Sequence, residues 1–99
     1  MAEIKEFEWD PAKARLNYRK HGIAFERAAG VFNDPKALTI FDEEHSGAED
    51  RWITLGMDNN DVPIVVHHTY RKRNGHTAFI RIISARKATK TEIKQYGEV

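Results

Sequence analysis

Apolar positions in this chain alternate, then recur every three or four residues, then alternate again, and each change of period marks an element. Ile4-Lys-Glu-Phe-Glu-Trp9 alternates and predicts a short first strand with Phe7 and Trp9 on one face. Asp10-Pro11 follows, an N-cap residue and then the residue favoured at the first helical position. The helix runs to His21. Gly22 supplies a left-handed C-cap, and Arg19, Lys20 and His21 oppose the helix dipole in its last turn. Phe25, Ala28, Ala29 and Phe32 recur at helical spacing, so residues 23–32 predict a second short helix, stopped by Asn33-Asp34-Pro35.

Strand-like runs cover residues 37–41, 51–57, 62–70 and 77–85. A polar, acidic connection spans 42–50, and tight turns span 58–61 and 71–76. Thr89 and Glu92 have the spacing of a capping box and open a final helix through Tyr96. The order β-α-α-β-β-β-β-α, with short connections between the last four strands, predicts an α+β domain. It has an antiparallel sheet of four to five strands, two N-terminal helices and one C-terminal helix, with the helices on one face.

At 99 residues the chain is one domain, 1–99, with one modest core. Its 40% apolar and 31% charged residues match an ordinary soluble globular chain and exclude a disordered one. The absence of cysteine excludes a disulfide framework and a thiolate zinc site, and fits a reducing cytosol. No run approaches a membrane-spanning helix, and Met-Ala-Glu-Ile-Lys-Glu has no signal-peptide apolar block. The net charge of +1 hides an asymmetry. Residues 1–50 carry seven Lys/Arg against eleven Asp/Glu, and residues 51–99 carry nine against four. That suits an anionic ligand on the C-terminal half, or an ordinary mixed surface if the halves interleave.

Phe79-Ile-Arg-Ile-Ile-Ser-Ala-Arg-Lys-Ala88 places Arg81 in the middle of an apolar strand. Burying an uncompensated guanidinium is expensive, so Arg81 sits on a wet face of the sheet or opposite a partner. A fork-shaped, permanently charged donor there suits a phosphate. Alternation puts His68 and His67 on opposite faces of the third run. In the fourth it puts Phe79, Arg81 and Ile83 on one face and Ile80, Ile82 and Ser84 on the other. Arg81 could lie near either histidine, and the sequence does not fix which. An arginine beside an imidazole favours its neutral form, which suits a general base next to a phosphate-binding cation. His45, among Asp42, Glu43, Glu44, Glu49 and Asp50, matches no metal-ligand spacing and reads as a solvated loop residue. No glycine-rich phosphate loop is present, and Trp9 and Trp52 read as core or interface.

Phe7-Glu-Trp-Asp10, Asn17-Tyr-Arg-Lys-His-Gly22 and Phe25-Glu-Arg-Ala28 together resemble the N-terminal signature of the BrnT toxins. The likeness continues through Glu49-Asp-Arg51, Gly56, Val65-Val-His-His-Thr69 and Ile80-Arg-Ile-Ile-Ser-Ala-Arg-Lys-Ala88, with Glu92 and Tyr96, across nearly the whole chain. The resemblance implies a RelE-like fold and a ribonuclease toxin of a bacterial, cytoplasmic type II toxin–antitoxin pair. It implies a BrnA-like antitoxin that wraps the toxin and alone contacts operator DNA. Carried over by position, the family's polar residues fall on Lys20, His21, Arg51, His68, Arg81, Ser84, Arg86 and Tyr96. His68 fits better than His67, because it precedes the strand's Thr69.

The expected mechanism needs no metal and no cofactor, because RNA supplies its own 2′-hydroxyl nucleophile. The expected catalytic set is His68, Arg81, Arg86 and Arg51, with His21 or Tyr96 as the complementary acid or base. Lys20, Arg81, Ser84, Arg86 and Lys87 are the expected phosphate contacts. Three rivals remain: a catalytically inactive binding module that serves as antitoxin partner and corepressor, a DNA-binding protein, and a metal-dependent nuclease using the acidic loop. The DNA-binding reading lacks a strongly basic helix face.

Overall fold

The computed structural model describes residues 3–97. β1 (Ile4–Glu8) leads into α1 (Pro11–His21) and α2 (Phe25–Gly30). A 3-10 turn at Val31–Asn33 follows, then β2 (Leu38–Phe41), β3 (Arg51–Met57), β4 (Pro63–Thr69), β5 (Arg71–Lys72), β6 (Thr77–Lys87) and α3 (Lys90–Gly97). The local signals act as expected. The Asp10 carboxylate accepts the Ala12 N–H at 2.9 Å, and Gly22 sits at φ 71° with its N–H donating to the Tyr18 carbonyl. Thr89 and Glu92 exchange both bonds of the capping box, at 2.8 and 3.2 Å.

The sheet has six strands in the order β1-β6-β4-β3-β2, with β5 pairing β6. β2, β3, β4 and β6 form the expected antiparallel ladder, but β1 runs parallel to β6, so the sheet is mixed. Alternation in a single strand carries no information about the direction of its neighbour, which explains why this pair was not expected. Part of the expected 71–76 turn is the short β5, paired with Phe79 and Ala78.

β1 covers β6 only as far as Arg81, which leaves the second half of β6 with a bare edge. Asn17 of α1 closes it. Its side chain accepts the Ala85 N–H at 3.0 Å and donates to the Ala85 carbonyl at 2.9 Å and the Ile23 carbonyl at 3.1 Å. One amide therefore does the work of a strand partner and fixes α1 against the sheet.

The core lies between α1, α2 and one face of the sheet, built from Ile23, Phe25, Ala28 and Val31 against Ile64, Val66, Ile80, Ile82 and Ala85. α3 lies elsewhere. Val65 and Leu55 point to the opposite face by strand parity, yet both are buried, and α3 packs on β3 there. Arg86, on that same second face, holds Glu92 of α3 through two hydrogen bonds of 2.8 and 2.9 Å. The expectation of helices on one face thus holds for α1 and α2 but not for α3. The short final helix has too weak an apolar stripe, with Ile93 41% exposed, to reveal its docking side.

Candidate functional site

The last strand slips in register where it matters. His67 pairs with Ser84, but His68 pairs with Ile82, so Ile83 is an extra residue on β6, a β-bulge. Before the bulge Ala78, Ile80 and Ile82 face the core; after it Ala85 does. Ser84, expected on the face of Ile80 and Ile82, therefore shares a face with His67 instead. Arg51, His67, Arg81, Ser84 and Arg86 all lie on the second face, away from α1 and α2.

His68 is not among them. It is 1% exposed in the core, edge-on to Phe32 with ring centroids 4.8 Å apart. Its Nδ1 donates to the Thr69 carbonyl at 2.9 Å, so its Nε2 accepts from the Thr54 hydroxyl at 2.7 Å. Both nitrogens are satisfied, and burial lowers the imidazole pKa. It can exchange no proton with a substrate on the second face.

His67 faces the site. Its Nδ1 lies 3.8 Å from the buried Asp42 carboxylate, which is also engaged by Nδ1 of His45 at 2.9 Å. Burial pushes the His67 pKa down; Arg86 and His45 push the same way, and Asp42 opposes them. The ring is thus held neutral near neutral pH. Asp42 is itself fixed, its N–H bonded to the Arg51 carbonyl at 2.8 Å and its carbonyl accepting from the Ser46 hydroxyl at 2.7 Å. His45 and Asp42 were missed as site residues because they occupy an acidic loop whose spacing matches no motif. The Asp-x-x-His turn was their only sequence signal.

A cavity of about 370 Å³ opens beside His45, lined also by Gly47, Ala48, Glu49 and Arg51. The Nε of Arg51 is buried with no hydrogen-bond partner among the described residues, an uncommon state for a guanidinium nitrogen. Glu49, from the same wall, is ion-paired to Arg81. That pair is largely exposed and so contributes only about 0–1 kcal/mol, which a substrate phosphate can replace. Arg86 differs. Its bidentate pair with Glu92 pulls that carboxyl down to about 2 and anchors α3.

The other expected residues are elsewhere. Lys20 and His21 line a groove of about 570 Å³ with Lys13, Arg19, Ile83 and Ser84, at the α1 edge of β6. Tyr96 donates to Asp34 at 2.6 Å, and the same carboxylate oxygen takes the Met57 N–H at 2.8 Å, which ties α3 to the end of β3. Lys87 is exposed at the end of β6. His21 and Tyr96 are therefore not brought to the imidazoles and guanidinium groups of the second face. Among the described residues no group of three or more His, Asp or Glu is placed to hold a metal ion.

Residues 9–92 match the model of the family described as ribonuclease toxin, BrnT, of type II toxin-antitoxin systems. The chain belongs to the BrnT family. A crystal structure of the Brucella abortus ribonuclease toxin BrnT superposes with a TM-score of 0.61 at 22% identity, covering 88% of this chain and 99% of that one. At that identity the likeness establishes the fold. No curated protein matches the sequence. Membership of the BrnT family supports a toxin ribonuclease role and implies an antitoxin partner. The family match contains Arg51, His67, Arg81, Ser84 and Arg86 and ends before Tyr96.

Proposed function

We propose that this BrnT-family chain is an endoribonuclease toxin that cleaves RNA on the second face of its sheet, without a metal, by attack of the 2′-hydroxyl on the adjacent phosphodiester. The observation that carries this reading is the pair of imidazoles that approach Asp42, one of them lining a cavity with Arg51, whose Nε is buried with no hydrogen-bond partner among the described residues. His67, neutral at physiological pH, takes the 2′-proton, and His45 returns one to the departing 5′-oxygen. Asp42 orients both rings. Arg51 and Arg81 hold the phosphate and stabilise the charge that grows on it in the transition state. Arg86 adds positive potential but stays on Glu92. The products are a 2′,3′-cyclic phosphate and a 5′-hydroxyl end.

Lys13, Arg19 and Lys20 extend the basic surface past Ser84 along the α1 groove and carry the RNA backbone there. A BrnA-like antitoxin neutralises the toxin with an acidic or amphipathic segment that competes for the same cations, and operator DNA is met only through it. The toxin acts in the bacterial cytoplasm, where its RNA is. Inducible expression in a bacterium lacking the antitoxin tests this, wild type beside Arg81→Ala. Growth arrest with loss of total RNA in the wild type only supports the reading. Normal growth of both, with folded soluble protein, supports the inactive binding module.

A further inference from the structure

A second cationic cluster shares the second face of the sheet with Arg81, and the proposed mechanism does not use it. Arg71-Lys-Arg73 forms β5 and the start of the turn into β6. Arg71 stands opposite Phe79, which precedes Arg81 by two residues on β6. Alternation puts Phe79 and Arg81 on one face, and the β-bulge comes only after both. Phe79 is half-buried and lies outside the core cluster, with the Arg73 guanidinium 4.7 Å from its ring centroid. The turn that presents Arg73 is pinned at both ends. Asn74 Oδ1 accepts the N–H groups of His76 and Thr77 at 2.8 and 2.9 Å, and the Arg73 N–H donates to the Thr77 carbonyl at 2.9 Å. Lys72 reaches Glu3 at 3.8 Å, but among the described residues neither Arg71 nor Arg73 has a carboxylate partner. Glu8, Arg71, Lys72, Arg73 and Phe79 line a cavity of about 470 Å³.

We infer that this cavity is a second nucleotide subsite for single-stranded RNA, in which the base next to the phosphate held by Arg81 stacks on Phe79 beneath Arg73. The inference rests on the ribonuclease reading of this face. Every base has a π face, so an aromatic ring or a guanidinium plane can hold one whatever its identity. An exposed cation–π contact is weak, so an incoming base can slide between the ring and the guanidinium. Two residues of strand, at about 3.3 Å each, place Phe79 about 7 Å along β6 from Arg81, within the reach of one extended nucleotide. The flanking charges orient it. Glu6 and Glu8 stand opposite Phe79 and Arg81 on the β1 side, both exposed, and Arg71 stands on the β5 side. A carboxylate repels phosphate and only accepts hydrogen bonds, so the N–H edge of the base turns toward β1 and its phosphate toward Arg71. The strand then runs from the β5–β6 turn past Arg81 toward the α1 groove at the other end of β6.

The test reads binding, which does not depend on cleavage. The probe is a fluorescent 2′-O-methyl oligonucleotide, which lacks the nucleophilic hydroxyl, beside an abasic strand of the same length and charge. The wild type is expected to bind the base-bearing strand more tightly. Phe79→Leu keeps the apolar volume and removes the ring, so it should lose about tenfold on the base-bearing strand and nothing on the abasic one. Phe79→Tyr should keep wild-type affinity. Arg71→Ala should weaken both strands and lower the salt slope by about 0.7. Unchanged affinity in Phe79→Leu, an equal loss on both strands, or a wild type that does not distinguish the strands would overturn the inference. Normal RNA binding by Phe79→Leu and Arg71→Ala with loss of the antitoxin would likewise overturn it, assigning the cluster to that partner. The expected binding pattern in a wild type that cleaves no RNA would uphold the subsite and overturn the cleavage reading alone.

Discussion

His67 stands opposite Ser84, and His68, the next residue, stands opposite Ile82, so the one-residue slip at Ile83 decides which imidazole meets the arginines. A strand alternates with period two, and a bulge inverts that alternation for everything beyond it. Without the bulge Arg86 would fall on the core face with Ile80 and Ile82. With it Arg81 and Arg86 share a face, together with Ser84 and His67.

The two histidines should therefore fail differently. His68→Ala removes the partner of Thr54 and of the Thr69 carbonyl and leaves a cavity against Phe32, costing about 2–4 kcal/mol of stability. His67→Ala should leave the melting temperature almost unchanged and lower the RNA cleavage rate by about two to four orders of magnitude. Thermal melts beside cleavage rates of the two variants check this. An active His67→Ala protein would remove His67 from the mechanism.

Asn17→Ala should be among the most damaging polar substitutions. It strands the Ala85 N–H and C=O and the Ile23 carbonyl in a buried setting, and each orphaned group costs about 1–3 kcal/mol. Partial compensation by water brings the expected loss to about 3 kcal/mol. Urea unfolding measures it, and amide exchange should locate the opening at the second half of β6. A loss below about 1 kcal/mol would mean that the amide bonds are not what closes that edge.

Acidification should destabilise the fold in two steps. His67 and His68 have pKa values lowered by burial, so between their folded values and about 6.5 the unfolded chain binds more protons. Stability is complete above about 6.5 and falls as pH drops through the folded values. Glu92, ordinarily 4.5 and here about 2, adds a second loss as pH falls from the first value toward the second. Melting midpoints against pH for the wild type, His68→Gln and Glu92→Gln separate the steps. A midpoint that rises on acidification below neutrality would contradict the assignment.

Glu92→Ala removes the Arg86 pair and half of the α3 capping box together. Because the pair is partly exposed, the expected cost is about 1–2 kcal/mol. On the proposed mechanism cleavage should fall only slightly, because there the phosphate contacts are assigned to Arg51 and Arg81. A loss of activity as large as that of Arg81→Ala would show that the Arg86–Glu92 pair helps to position the site.

The elements were legible in the sequence where the signal is local. Asp10, Pro11 and Gly22 bound α1, and Thr89 with Glu92 opens α3, because caps act within one helical turn. The alternation of residues 51–57 and 62–70 predicts β3 and β4 nearly to their ends. Arg81 and Arg51 were legible as candidates, one as a cation in an apolar strand and both through their family positions. What depends on pairing was not legible. The parallel β1–β6 contact, the bulge at Ile83 and the side on which α3 docks are set by partners distant in sequence. His68 drew attention by position, but its two hydrogen-bond partners, Thr54 and the Thr69 carbonyl, make it a core residue. Asp42 and His45 became visible only once the loop was folded against His67.

The most direct test of the central claim is cleavage of a defined RNA by the purified chain in excess EDTA, wild type beside Arg81→Ala and Arg51→Ala, with the product ends identified. The account predicts unimpaired wild-type cleavage to a 2′,3′-cyclic phosphate and a 5′-hydroxyl, and a loss of about two to three orders of magnitude in each arginine variant. Cleavage abolished by EDTA and restored by a divalent ion, or undiminished in both variants, would contradict it.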